Sequence, residues 1–533
     1  MRLRSLVASL ATGAVLTLSA CSAATTTTAE SSQISSTGAG TSASSSTTAA
    51  TSSSATGTSS AGTAATAAVV TTVAADIAAA THFDGDDLTW DTASEVAVTL
   101  ADDASTPAAG VTVDADTVTI SAAGTYRLSG SLTDGRIVVA AGEEDVVRVI
   151  LDGVSVSSST GSAFVVTSAD EAILYLADGS ANSLDDAASY ADTADDAPDA
   201  ALYSMADLTI AGGGALTVQG RYADGIVSKD GLVLASGTVT VDAVDDGIRG
   251  KDYLALLDGS HTVTAGGDGV TSDNDEDADL GWLLVSGGSL TVAAGDDGIK
   301  AVDQLGVTGG TVTVTGSTEG LEAMTIAVSG GTVDVTSTDD GVNAAGGTAT
   351  GGEQAGAQLV EISGGSVTIT AEGDGLDSNG SAVVSGGTVV VNGPAGSGNG
   401  ALDVNGELTV SGGTLAAAGS AGMVVTPAVA SPQSSVQVSF GSAVPAGSVV
   451  SLSDSAGTVV ATFVPTKSTQ SLVFSSADIV ASQTYTVSTG ATADVSAGLG
   501  SGTLDGATTV GTVVAGEYTA GGGPGRGGQR PGR

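Results

Sequence analysis

The chain has 533 residues, 59 Asp and Glu against 14 Lys and Arg, and a formal charge of −45. So acidic a balance excludes nucleic acid as a partner and favours cations or cation-bridged surfaces. Gly, Thr, Val, Ala and Ser dominate and helix formers are scarce, which predicts an all-β chain of narrow strands and tight turns.

Residues 1–20 have the order of a lipoprotein signal peptide: basic Arg2 and Arg4, then the apolar stretch Leu6 to Leu18, too short to span a membrane. Leu18-Ser19-Ala20-Cys21 resembles the bacterial lipobox, and Cys21 is the only cysteine, so the expectation is a lipid anchor at Cys21. That places the protein on the extracellular face of the bacterial membrane, held by buried acyl chains. Residues 21–75 are almost wholly Ser, Thr, Ala and Gly and read as a disordered tether, with a typical reach of roughly 40 Å.

Residues 85–430 carry a repeat. An acid or Asn, a glycine and an apolar residue recur at Asp224, Asp246, Asp268, Asp297, Glu319, Asp340, Asp374 and Asn399, and four of the seven intervals are 21 or 22 residues. Upstream of each lies a Gly-Gly-Thr-Val-Thr-Val-like run, such as Gly309 to Val314, in which valines and threonines alternate as on a half-buried strand. Units this small cannot hold a core alone and must stack. Hairpin turns and a Leu-x-x-Leu-x-Leu frame are lacking, so the reading is a parallel β-helix with rungs of about 22 residues. Ile226, Ile248, Val270, Ile299, Leu321, Val342 and Leu376 would form an interior column. Thr99 to Phe164 supplies weaker early rungs and a cap. Residues 431–520 lose the repeat and read as a small β-rich C-terminal cap, and 521–533 as a disordered Gly/Arg tail.

Registered rungs would lie about 4.8 Å apart and pile the corner acids on one another. Two unit charges about 5 Å apart repel by roughly 3 kcal/mol at an effective dielectric of 20, so such a ladder calls for solvation, protonation or bound cations. Doubled acids and the acidic insertion after Asp268 gather Asp245, Asp246, Asp268, Asp273, Asn274, Asp275, Asp296 and Asp297 as candidate metal ligands. Oxygen donors at this density, without His or Cys, suit Ca²⁺, which takes six to eight of them.

The segments Gly225-Ile-Val-Ser-Lys-Asp230, Asp245-Asp-Gly-Ile-Arg-Gly-Lys-Asp252, Gly267 to Asp277, Gly295-Asp-Asp-Gly-Ile-Lys-Ala301, Glu319-Gly-Leu-Glu-Ala323, Asp339 to Ala345 and Gly373 to Gly380 resemble a bacterial family of secreted carbohydrate-binding β-helix proteins. The resemblance runs from about Leu88 through the C-terminal β segment. It implies a right-handed coil akin to calcium-dependent pectate lyases, with bound calcium and affinity for polygalacturonate-like or cellulose-like polysaccharide. Aromatics are only 3% of residues, and Trp282, Tyr222, Tyr253 and Tyr203 read as packing rather than a sugar platform. With calcium as a bridge, acidic polysaccharide is the favoured ligand. His82 and His261 show no triad context, and His261 reads as an exposed strand residue.

Lyase chemistry would need a calcium and a base. Lys229, Arg249, Lys251 and Lys300 lie near the acidic turns, and Lys300 is the candidate base; their competing role is to offset the carboxylates. The sequence therefore leaves three readings: a non-catalytic polysaccharide binder, a calcium-dependent lyase, and a passive adhesin or envelope spacer.

Overall fold

The protein is described here by a computed structural model covering residues 77–194, 197–347 and 354–519, all within the compact unit Ser59–Arg533; the other unit, Met1–Thr58, lies outside them. The signal peptide, Cys21, the tether and the 521–533 tail lie outside the described residues too.

Strands make up nearly all of the ordered structure, and the chain coils as a β-helix-like solenoid. A typical coil has three strands, for example Ile299–Ala301, Gln304–Val307 and Thr311–Gly316. Each pairs in parallel with its counterpart in the next coil, so the strands collect into a 25-stranded and a 13-stranded sheet. Alternation decides which side chains point in. Along the Thr-Val-Thr-Val strands the register Val239↔His261↔Leu290↔Val312↔Val333↔Val367↔Val389↔Leu415 builds one buried column. On the 13-stranded sheet, Ile226↔Ile248↔Val270↔Ile299↔Leu321↔Val342↔Leu376↔Leu402 builds another. Like side chains stacked on like exclude water along the whole axis, and that burial is the dominant stabilising term.

His261 corrects an expectation. It stands in the inward register of its strand, between Val239 and Leu290, and is 1% exposed. Its Nε2 lies 2.9 Å from the Asp258 carbonyl, and burial pushes its pKa down, so the ring sits in the core uncharged.

The two glycine signatures have different causes. The second glycine of the Gly-Gly pairs, as at Gly310, adopts φ +74°, where a side chain is strained. Glycines that follow the corner acids, such as Gly247, are not in that region; a Cβ there would run into Val263 Cγ1 and the Gly269 carbonyl. Close packing between coils therefore fixes them.

At the N-terminal end, Val111–Asp114 and Thr117–Ile120 form an antiparallel hairpin at the edge of the 13-stranded sheet. At the other end Thr469–Ser475 pairs antiparallel with both Thr414–Gly419 and Ser435–Val444. A six-stranded antiparallel sheet follows, and its core packs on Val390, Ala416 and Ala418, outward residues of the last coils. The C-terminal segment is thus joined to the solenoid through a shared sheet and a shared core.

Candidate functional site: an acidic corner ladder and its neighbouring face

The corner acids lie two residues before the inward column of the 13-stranded sheet, so the register that stacks Ile226 on Ile248 also stacks Asp224 on Asp246. The ladder is bonded. Asp224 Oδ1 accepts the Asp246 backbone N–H at 3.1 Å, Asp246 that of Asp268 at 2.9 Å, and Asp268 that of Asp297 at 3.0 Å. Further along, Asp340 accepts from Asp374 at 2.6 Å and Asp374 from Gly400 at 2.5 Å. In the return direction each corner glycine donates to the carbonyl of the next corner, as Gly247 does to Asp268 at 2.9 Å. An amide partner for one oxygen of Asp224, Asp246, Asp268, Asp340 and Asp374 offsets part of the repulsion that stacking creates, while Asp297 is met by Lys300 and Glu319 by Asn343.

Beside the ladder runs a second column, contributed by the outward residue of each short strand: Val227, Arg249, Thr271, Lys300, Glu322, Asn343, Asp377 and Asp403. Its sign changes along the axis. Arg249 reaches Asp224, Asp199 and Asp273, the last two at 3.3 Å. Lys300 lies 2.5 Å from Asp297, 3.5 Å from Glu322 and 3.8 Å from Asp268. Past Glu322 the column carries only Asn and Asp, and no ion pair of Asp340, Asp374 or Asp377 occurs among the described residues.

These positions sort the expected metal ligands. Asp246, Asp268 and Asp297 come together in the ladder. Asp273 is turned to Arg249. Asn274 is used within its own loop: its amide donates to Asp252 at 2.6 Å, and its oxygen accepts the Glu276 and Asp277 N–H groups, each at 3.0 Å. Asp245, Asp275 and Asp296 are exposed. Arg249 and Lys300 therefore counter the charge within the cluster that the sequence singles out. Lys300 itself is held as a cation: burial pulls its pKa down, but the hydrogen bond to Asp297 and the charges of Asp268, Asp297 and Glu322 outweigh this and carry it above its ordinary value. That state does not suit proton abstraction.

The uncompensated stretch lies further along. Burial first, then the charges of Asp340, Asp403 and Asp374, push Asp377 up to about 7. Burial likewise raises Asp340 and Asp374 to about 6, with neighbouring aspartates adding to it. Asn343, the register neighbour of Asp377, is 8% exposed; its Nδ2 donates to Glu319 Oε2 at 2.7 Å in the preceding coil, while its Oδ1 is buried without a hydrogen-bond partner. A buried acceptor without a donor is costly, and a hard cation supplies what it lacks. Nearby, Asp297, Glu319 and Glu322 each offer an oxygen within 4.8 Å of the others. Lys300 already lies against Asp297 and Glu322 of that group, whereas Asp340, Asn343, Asp374 and Asp377 are oxygen donors of the type a hard cation takes and have no ion pair among the described residues. Sequence reasoning missed Glu322, Asn343 and Asp377, although the signal was available: each is the third residue after a corner acid.

The ring residues are packed. Tyr253 and Trp282, register neighbours, stack at 4.7 Å with planes 6° apart, so the coil spacing is also the ring spacing. Tyr190 and Tyr222 stack at 4.3 Å, and Tyr203 is buried.

Residues 114–357 match a family described as carbohydrate-binding domain-containing protein. A carbohydrate-binding domain-containing protein of Acetivibrio thermocellus is 37% identical over 136 residues, which cover 25% of this chain and 48% of that protein. The chain thus spans about half the length of this curated relative. A solved structure described as the polysaccharide lyase-like protein from C. thermocellum, gadolinium derivative, is similar with 30% identity and a TM-score of 0.40, covering 45% of this chain and 93% of the other. The resemblance carried by the ordered motif series, to carbohydrate-binding domain-containing proteins, is thereby shown for the solenoid segment 114–357.

Proposed function

We propose that the protein is a non-catalytic polysaccharide binder of the bacterial cell surface, anchored through Cys21, whose solenoid presents calcium to an acidic, polygalacturonate-like chain. The observation that carries this reading is the face formed by Asp340, Asn343, Asp374 and Asp377, where burial raises the carboxylates and Asn343, the register neighbour of Asp377, holds an acceptor without a donor. Calcium held there would turn a repulsive surface into one that accepts a uronate, whose carboxylate completes the metal's oxygen shell. The carbohydrate-binding description of the matching family supports the ligand class. We take the coil as right-handed, the hand that parallel crossovers adopt, with rungs of about 22 residues.

Co-sedimentation with polygalacturonate in calcium and in chelator tests this function. Calcium-dependent pelleting without absorbance from an unsaturated product supports a binder. New absorbance would make the protein a lyase, and absence of pelleting in calcium would leave a spacer.

A further inference from the structure

Residues 81–95 cross the outside of the solenoid before the first strand, Val96–Leu100. Their backbone hydrogen bonds are local, within short 3₁₀ turns at Gly85–Leu88 and Thr92–Ser94. Side chains make the attachment. Phe83 and Leu88 lie on an outer ledge of Ala211, Val233, Ala235, Tyr253 and Ala255. Trp90 packs edge-on to Tyr175 at 4.8 Å, and the Arg148 guanidinium lies 5.3 Å from its ring centre. Arg148 also donates to the Asp87 carbonyl at 2.9 Å.

His82 is the pin. Its Nδ1 is 2.7 Å from the Tyr253 hydroxyl and 3.1 Å from Asp207 Oδ1, and its backbone N–H donates to the same hydroxyl at 2.8 Å. Its Nε2 is 2.9 Å from Thr209 Oγ1 and 3.6 Å from Glu171 Oε1, while Thr209 donates to Glu171 at 2.8 Å. Both ring nitrogens thus face hydroxyl and carboxylate oxygens of the sheet beneath.

We propose that residues 81–95 are a detachable strap, latched by His82 and Glu171, that covers the Tyr253–Trp282 ring pair and its apolar ledge and lifts as the pH rises. A segment whose backbone–backbone hydrogen bonds, among the described residues, are all within itself is the kind of element that opens locally while the rest stays folded. The charged and titratable groups facing the latch are Asp87 on the strap, and Arg148, Glu171, Asp207, Asp230 and Tyr253 on the strands beneath it. Glu171 is 6% exposed, and burial pushes it up to about 7 against the opposing pull of His82 and Thr209. A carboxyl raised by burial favours the state that buries it below its free value of 4.5 and loses that contribution as the pH climbs through about 7.

The chain has two tryptophans, Trp90 on the strap and Trp282 on the ledge, so tryptophan fluorescence excited selectively over the eight tyrosines reports on this region. Acrylamide quenching of the full chain is expected to rise about threefold from about pH 5 to about pH 8, as local opening exposes both rings, with far-UV circular dichroism unchanged. Glu171→Gln is expected to stay weakly quenched at both pH values, and His82→Ala to be strongly quenched at both. Wild-type quenching that is flat over this range overturns the proposal. So does a rise that both variants keep, since the titrating group would then lie elsewhere.

Discussion

Asp246 Oδ1 accepts the backbone N–H of Asp268, 22 positions onward, at 2.9 Å. The same bond joins Asp224 to Asp246 and Asp268 to Asp297, so the corner carboxylate caps the amide of the next coil. This explains a column of acids that simple Coulomb reasoning disfavours. The side chain is selected as an acceptor, and its charge is a consequence that the rest of the face must offset.

Asp246→Asn keeps an acceptor oxygen and should change stability little, whereas Asp246→Ala leaves the Asp268 N–H without its partner and should cost about 1–2 kcal/mol, the range for losing a comparable cap. Urea unfolding of the two variants measures the difference.

Gly247→Ala should be costly for a different reason. The new methyl would press on Val263 Cγ1 and the Gly269 carbonyl of the next coil. Overpacking of this kind costs about 1–3 kcal/mol, and thermal unfolding checks it. Gly316, which has open space around its Cβ position, serves as the control.

The stacking was legible because two periods coincide in the sequence: alternation within a strand and about 22 residues between corners. Together they align Ile226, Ile248 and Val270 without reference to distant contacts. The sequence was less informative about charge compensation. The density of acids from Asp245 to Asp297 points there for metal, yet Arg249 and Lys300 fold back onto that cluster, and only the register reveals it. Alternation could have flagged Asn343 and Asp377, but their meaning depends on neighbours a coil away. His82 bonds to a hydroxyl 171 residues distant, and nothing periodic marks the segment that carries it.

Burial raises Asp224 and Asp377 to about 7 and Asp268, Asp340 and Asp374 to about 6, all above their ordinary value of 3.8. Groups raised on folding stabilise fully below their unfolded pKa, and that contribution is lost as the pH rises through the folded values. In chelator, the melting temperature should therefore fall from about pH 5 to about pH 8, and calcium should flatten the fall by favouring the ionised carboxylates. A calorimetric scan series with and without calcium measures this.

Lys300→Gln removes the cation beside Asp297 while leaving that carboxylate buried. Because Lys300 is partly exposed, solvent screening limits the loss, and about 1–2 kcal/mol is expected rather than the larger penalty of a fully buried pair. If Lys300 serves as counter-ion, the variant should still pellet with polygalacturonate in calcium, which the sedimentation assay reads directly.

Isothermal titration of calcium into the chelator-stripped chain tests the central claim most directly. The account predicts that Asp340→Asn combined with Asp377→Asn abolishes the heat of binding, while Asp245→Asn combined with Asp275→Asn leaves it as in the parent. Calcium heat that survives the first pair and disappears with the second would contradict it.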